Sequence, residues 1–136
     1  MLLAHPGGPL WANKDEGAWS IPKGEFDAAE PALDAARREF VEETSIQTPV
    51  DGFVSLGSVK QRSGKVVHAW GVEMDLDPAR AVSNTFALEW PPRSGRTIEV
   101  PEVDRVEWFG VEQACLKANP AQVELVERLV NLLADG

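Results

Sequence analysis

Only one cysteine, Cys115, occurs among the 136 residues. An internal disulfide is therefore impossible, and a zinc site built on several cysteines is excluded. No apolar run approaches the roughly 18 residues that a membrane-spanning helix needs, and no basic segment followed by a cleavage site opens the sequence. We therefore expect a cytoplasmic protein with no membrane partner.

Basic residues are few, with 13 Lys and Arg against 22 Asp and Glu, and the net charge is −9. Nucleic-acid polymers and anionic membranes both require a basic surface, so neither is expected as a partner. A small phosphorylated substrate remains compatible with this charge if bound metal ions reverse the local field. The length predicts one domain covering residues 1–136.

The acidic residues concentrate between Gly24 and Ile46, and the run from Pro31 to Thr44 within it contains no glycine. Its composition and periodicity predict a helix. On a helical wheel three apolar residues share one narrow face, which we expect to anchor the helix to a sheet: Leu33, Ala36 and Phe40.

Glu39, Glu42 and Glu43 fall on the adjoining face of this helix. Like charges at this spacing repel by a few tenths of a kcal/mol per pair in water, and by more where solvent is excluded. Clustered carboxylates beside an apolar stripe suit a hard divalent cation such as Mg²⁺, which prefers oxygen ligands and shares substrate phosphates. The alternative is a solvated acidic face, which would leave the spacing unexplained.

This stretch resembles the signature of the Nudix hydrolases. Eight of its nine defined positions match, namely Gly24, Glu30, Arg38, Glu39, Phe40, Glu42, Glu43 and Ile46. Ser45 stands where the family has glycine. A glycine there suits a left-handed helix cap, which serine adopts at a modest cost.

The resemblance implies an α+β fold, an α/β/α sandwich with a mixed sheet, the signature helix and a C-terminal helix. It also implies Mg²⁺-dependent hydrolysis, with Mn²⁺ as a substitute, of a phosphoanhydride bond in a nucleoside diphosphate linked to another group. Glu42, Glu43 and the backbone carbonyl of Gly24 are the implied metal ligands. Glu39 is implied as a third ligand or as the base that orients water, and Arg38 would hold Glu42 in place.

Residues outside this cluster are candidates for further roles. Lys23 is placed to meet a phosphate, and Glu30 is either a ligand through water or a helix N-terminal residue favoured by the dipole. Because family members often add a carboxylate from a later loop, Glu102 is a candidate base or ligand, followed by Glu99. Trp19 or Trp70 could stack on a base, although Trp70 and His68 suit a core or wall equally well. Arg62, Lys65, Arg93 and Arg96 are candidates for binding outer phosphates, and His5 has no assigned role.

The substrate is less defined than the reaction. The sequence Pro22-Lys23-Gly24 is similar to that of the branches that cleave dinucleoside polyphosphates and diphosphoinositol polyphosphates. Damaged nucleoside triphosphates and nucleotide sugars are alternatives. A different class of protein, a Nudix-fold domain that senses a nucleotide without cleaving it, is the main rival. The intact Arg38 and the three glutamates weigh against that rival.

Local patterns predict the remaining elements. Extended segments are expected at Leu2–His5, Trp19–Ile21, Phe53–Lys60, Val66–Met74, Ala87–Trp90, Thr97–Val100 and Val106–Phe109. Helices are expected at Val111–Lys117 and after Asn119-Pro120, where an apolar face comprises Val123, Val126, Leu129, Val130 and Leu133. The resemblance also implies a strand before Leu2 that this sequence does not contain. The start therefore lies upstream, the sheet lacks that strand, or another element covers the edge, for example in a homodimer.

Overall fold

The computed structural model describes residues 1–22 and 31–135, so the predictions made at Lys23, Gly24 and Glu30 lie outside the described residues. The strands are β1 (Leu2–Pro6), β2 (Val54–Lys60), β3 (Val66–Gly71), β4 (Thr85–Glu89), β5 (Thr97–Pro101) and β6 (Val103–Trp108). The α-helices are α1 (Ala32–Thr44), α2 (Val111–Lys117) and α3 (Val123–Asp135), and short 3₁₀ turns cover Pro78–Arg80 and Pro120–Gln122.

Within the described residues the strands form three antiparallel pairs, β1–β6, β2–β3 and β4–β5. The segment predicted as a strand at Trp19–Ile21 makes only isolated bridges, an antiparallel one between Ser20 and Ala4 and a parallel one between Trp19 and Ala118. These bridges connect the β1–β6 pair to the end of α2. The predicted α+β class, with the signature helix and a C-terminal helix, is confirmed.

The core is centred on Trp19, which packs with Leu3, Ala114, Ala118 and Val126. A second cluster places Leu125 of α3 against the β2–β3 hairpin. The first turns of α3 are therefore buried along the predicted apolar face, whereas Leu133 near the end of the helix is 70 % exposed. None of the helices in the described part of the chain is long and apolar enough to cross a membrane.

Helix α1 is buried on an unexpected face. Its buried residues are Ala35, Glu39, Glu43 and Thr44. The stripe predicted to anchor it, Leu33, Ala36 and Phe40, is only half-buried and lines a cavity of about 640 Å³. We call this space, which also runs along β3 and residues Met1–Leu3, the apolar cavity. The carboxylate face of α1 is thus buried more deeply than its apolar stripe.

Backbone hydrogen bonds hold the C-terminal end of α1. The last carbonyls of a helix lack partners within the helix. Here the N–H of Val82 donates to the carbonyl of Thr44 at 2.9 Å, and the N–H of Asn84 donates to that of Glu42 at 2.8 Å. Segment 82–84 therefore fastens this end of the helix to the rest of the domain.

Candidate active site

Three carboxylates converge where α1 meets the turn between β5 and β6. Glu39, Glu43 and Glu102 each offer an oxygen, and these oxygens lie within 4.8 Å of one another. Glu39 and Glu43 are 9 % and 7 % exposed, whereas Glu102 faces solvent. Oxygens that share one Mg²⁺ at about 2.1 Å lie at most about 4.2 Å apart. Small side-chain movements would therefore let this all-oxygen set hold a hard divalent cation.

Backbone contacts bring Glu102 to the helix from a distant part of the sequence. Its N–H donates to the carbonyl of Asn84 at 3.0 Å, and its carbonyl accepts from the N–H of Gly7 at 3.1 Å. Asn84 is itself bound to the end of α1. The third carboxylate is therefore positioned by the main chain, which is a more rigid support than a side chain alone.

Ser45 adopts the left-handed conformation predicted from the signature, with φ 60° and ψ 20°. Its N–H donates to the carbonyl of Val41, and its hydroxyl donates to the carbonyl of Val82 at 2.5 Å. A glycine could adopt the same backbone but could not make the second bond. The substitution thus adds a contact between α1 and segment 82–84.

Arg38 lies between two of the predicted catalytic residues. Its Nη1 is 3.1 Å from an oxygen of Glu39 and 3.1 Å from an oxygen of Glu42. The side chain of Glu42 is 40 % exposed and lies outside the converging group. The predicted Arg38–Glu42 contact is therefore present, but the structure places Glu102, rather than Glu42, with Glu39 and Glu43.

The electrostatics of Glu39 reflect its position. Burial raises the pKa of this carboxyl, the negative charge of Glu42 raises it further, and Arg38 opposes both. A carboxylate that is costly to ionise without a cation is expected at a metal site, because the ion supplies the missing positive charge.

Trp19 corrects a sequence prediction. It is 2 % exposed, and its ring makes edge-on contacts with His5 and Phe109 at centroid distances of 5.0 Å. The guanidinium of Arg105 lies 4.9 Å from the ring, and Nε1 donates to Asp15. Because the indole is enclosed, Trp19 is a core residue and its faces are not open to a substrate base.

The other predicted binding residues in the described part of the chain do not line the Trp11 cleft, a second cavity of about 500 Å³ described next. Arg62 is exposed in the β2–β3 turn and lines neither of the two cavities described. His68 and Trp70 stack on each other at 4.3 Å and line the apolar cavity, as does Lys65. Glu99 accepts a hydrogen bond from Thr85 on the exposed β4–β5 pair, whose connecting loop carries Arg93 and Arg96.

A second cavity of about 500 Å³ adjoins the carboxylates, and sequence reasoning missed it. We call it the Trp11 cleft, and its lining includes Gly7, Trp11, Glu43, Phe86, Glu102 and Gln122. Trp11 lies in a glycine- and proline-rich loop that has no periodicity to indicate which side chains are buried. The one feature of the sequence that could have indicated the cleft is the large aromatic residue Trp11 in an otherwise polar loop.

His5, which had no assigned role, secures this loop. It is fully buried, with Nδ1 3.0 Å from both carboxylate oxygens of Asp104 and Nε2 2.6 Å from the carbonyl of Lys14. It therefore links β1, β6 and the loop that carries Trp11.

Comparisons with known proteins agree with this architecture. The family model described as NUDIX domain matches residues 1–129. A C. elegans Ap4A hydrolase, solved as a binary complex, is 20 % identical, with 99 % of this chain and 87 % of that chain covered and a TM-score of 0.63. The E. coli ORF135 protein is 24 % identical, with 98 % and 81 % covered and a TM-score of 0.59. At these identities the likeness establishes the fold. No curated protein matches the chain.

Proposed function

Because the chain belongs to the NUDIX domain family, we propose that it is a Mg²⁺-dependent pyrophosphohydrolase. Its reaction would be hydrolysis of a phosphoanhydride bond in a nucleoside diphosphate linked to another group. The observation that carries the proposal is the convergence of Glu39, Glu43 and Glu102 within 4.8 Å in a partly buried setting.

Glu39, Glu43 and Glu102 are the residues that would hold the ion, joined by Glu42 and the Gly24 carbonyl if the family pattern applies. When bound, a divalent cation would polarise the phosphate and lower the pKa of a coordinated water. Arg38 orients Glu39 and Glu42 through its two contacts. In its alternative role Glu39 would not bind the ion and would instead accept a proton from water as the base.

A dinucleoside polyphosphate is the substrate class that we favour. The Pro22-Lys23-Gly24 sequence resembles the branch that cleaves such compounds, and one protein of similar fold is an Ap4A hydrolase. Among the described residues, neither lysine nor arginine lines the Trp11 cleft. A diphosphoinositol polyphosphate is a dense array of negative charge that would require such residues. The cleft therefore favours a nucleoside over an inositol polyphosphate.

The test is a substrate panel with the purified protein. It would contain a dinucleoside tetraphosphate, a nucleotide sugar, an oxidised nucleoside triphosphate and a diphosphoinositol polyphosphate, each with Mg²⁺, Mn²⁺ or EDTA. We expect turnover of the dinucleoside compound only with metal. Glu43→Gln should lower kcat by on the order of 100-fold or more, because a metal ligand is lost.

The matched control is Glu112→Gln, which neutralises an exposed acid in the first turn of α2. It should leave kcat unchanged, and circular dichroism should show that both variants are folded. Tight nucleotide binding without turnover of any panel member would contradict the proposal and favour the nucleotide-sensing alternative.

A further inference from the structure

The Trp11 cleft opens directly beside the candidate metal site. Glu43 and Glu102 belong both to the carboxylate group and to the lining of the cleft. Among the described residues that line the larger apolar cavity, in contrast, none of the three carboxylates occurs. A substrate whose phosphates lie at these carboxylates can therefore extend directly into the cleft. The volume of about 500 Å³ is within the range of small-molecule sites.

Two aromatic side chains from separate parts of the chain line this cleft. Trp11 comes from the loop after β1 and is 38 % exposed, and Phe86 comes from β4 and is 40 % exposed. The ammonium of Lys14 lies 5.1 Å from the Trp11 ring centroid and brings a positive charge to the same residue. Exposed aromatic faces stack on nucleobases whatever the base identity, since every base has a π-face.

Gln122 lines the cleft and has an unsatisfied buried donor. It is fully buried, and its Oε1 accepts from the N–H of Ile21 at 2.9 Å. That bond fixes which end of the amide is oxygen. The Nε2 group has no acceptor among the described residues, which is a costly arrangement for a buried donor. A ring nitrogen or carbonyl oxygen of a base would supply the acceptor.

The loop that carries Trp11 is held in place before any ligand arrives. Besides the bond from His5 to Lys14, the carboxylate of Asp15 accepts from Trp19 and pairs with Lys117 of α2. These contacts fix the part of the loop that follows Trp11, and the bond from the N–H of Gly7 to the carbonyl of Glu102 fixes the part that precedes it. Little ordering entropy is therefore lost when the cleft is filled.

We propose that the Trp11 cleft binds the nucleobase of the substrate, with Trp11 and Phe86 as stacking surfaces and Gln122 as a hydrogen-bond donor. The inference rests on the proposed function, because it takes the phosphates to lie at Glu39, Glu43 and Glu102. It identifies residues that determine substrate choice and that lie outside the signature stretch.

Steady-state kinetics provide the first test. Trp11→Ala and Phe86→Ala should each raise KM for the dinucleoside substrate about 5- to 100-fold, the range for loss of one stacked base. The kcat should change little, since base binding is the same in the ground and transition states. Trp11→Phe should restore most of the affinity. The control is Trp108→Ala, because Trp108 is 45 % exposed but lines the apolar cavity, and KM should not change.

Equilibrium binding separates this inference from the proposed function. Calorimetry in EDTA would compare adenosine 5′-monophosphate with ribose 5-phosphate, which lacks the base. Neither ligand contains a phosphoanhydride bond, so neither is hydrolysed. We expect tighter binding of the nucleotide, and Trp11→Ala should remove that preference. Gln122→Met removes the donors without burying a charge, so it should weaken nucleotide binding while binding of ribose 5-phosphate is unchanged.

The outcomes are distinct. A Trp11-dependent preference for the nucleotide without turnover of any panel substrate would overturn the proposed function and support the cleft. Turnover with unchanged KM in both Trp11→Ala and Phe86→Ala would support the function and overturn the cleft. A preference lost in Trp108→Ala instead would place the base in the apolar cavity and also overturn the inference.

Discussion

Neutralising Glu39 should stabilise the metal-free protein while abolishing its activity. The buried carboxylate has an oxygen within 4.8 Å of Glu43 and of Glu102. Two unit charges at that separation repel by about 3.5 kcal/mol at an effective dielectric of 20 and by about 0.9 kcal/mol in water. Glu39 and Glu43 are both buried, so their repulsion is closer to the higher value. Glu102 is exposed, so its repulsion with Glu39 is closer to the value in water. Arg38 is 41 % exposed and offsets at most about 1 kcal/mol. After relaxation and screening, Glu39→Gln should therefore raise the free energy of unfolding by about 1–2 kcal/mol.

The assay is thermal unfolding in EDTA at pH 7.5 and low ionic strength. A gain of that size corresponds to an increase in Tm of about 3–8 °C for a domain of this length. Saturating Mg²⁺ should raise the Tm of the unsubstituted protein more than that of Glu39→Gln, because the ion binds the complete carboxylate group more tightly. Glu42→Gln is the control, since it removes an exposed ion pair with Arg38 and also a repulsion with Glu39, two effects of opposite sign. It should change stability by no more than about 0.5 kcal/mol.

The pH dependence gives a second measurement on the same pair of proteins. Burial raises the pKa of Glu39 above the ordinary value of 4.5. The stability that this carboxyl contributes is therefore fully present below pH 4.5, where the group is protonated, and is lost as the pH rises through the raised pKa. The difference in Tm between Glu39→Gln and the unsubstituted protein should therefore narrow as pH falls toward 4.5. A lower Tm for Glu39→Gln in EDTA at pH 7.5 would refute the reasoning. It would mean that the bond to Arg38 outweighs the repulsion.

Two further substitutions test contacts that position the site. Ser45→Gly should change the free energy of unfolding by no more than about 0.5 kcal/mol, because relief of the strained left-handed backbone offsets the lost hydrogen bond to Val82. Ser45→Ala loses the same bond but keeps the strain, so it should cost about 1–2 kcal/mol. Equal midpoints of urea unfolding for the two variants would contradict this account. Arg128→Met should cost about 1–3 kcal/mol in the same assay, because Nη1 donates to two carbonyls of β2. They belong to Leu56, where the register with β3 shifts, and to Ser58. A loss as small as that of Glu124→Gln, which removes only an exposed ion pair, would show that these two bonds contribute little.

Local features of the chain were predictable from the sequence, and non-local ones were not. The helix predicted at Pro31–Thr44 is found at Ala32–Thr44, and that predicted at Val111–Lys117 has the same bounds. Both depend on propensity and periodicity within a few residues. Glu102, in contrast, could only be one candidate among several. It joins Glu39 and Glu43 through hydrogen bonds to segment 82–84, which no short-range pattern encodes.

The two tryptophans of the first loop show the same limit at a single-residue level. Trp19 lies in a segment predicted to be extended and was a candidate for stacking, whereas Trp11 lies in the polar stretch before it and had no predicted role. Trp19 is buried because its backbone bridges Ala118, a residue at the end of α2. Trp11 makes no such bridge to any residue that the structure describes, and it lines the cleft. Tertiary contacts, rather than residue type, decide which aromatic ring is available to a ligand.

The same contrast explains why α1 is attached in an unusual way. An ordinary surface helix buries its apolar stripe and exposes its charges. Here Leu33 and Phe40 border a cavity, while Glu39 and Glu43 are directed inward. The helix therefore depends on backbone bonds at its C-terminal end and, in the proposed enzyme, on the cation that neutralises its inward carboxylates. We expect this arrangement to lower the stability of the metal-free protein, which is the usual trade-off at a catalytic centre. In the proposed enzyme, docking of α1 and binding of the ion would be coupled, since each would lower the cost of the other.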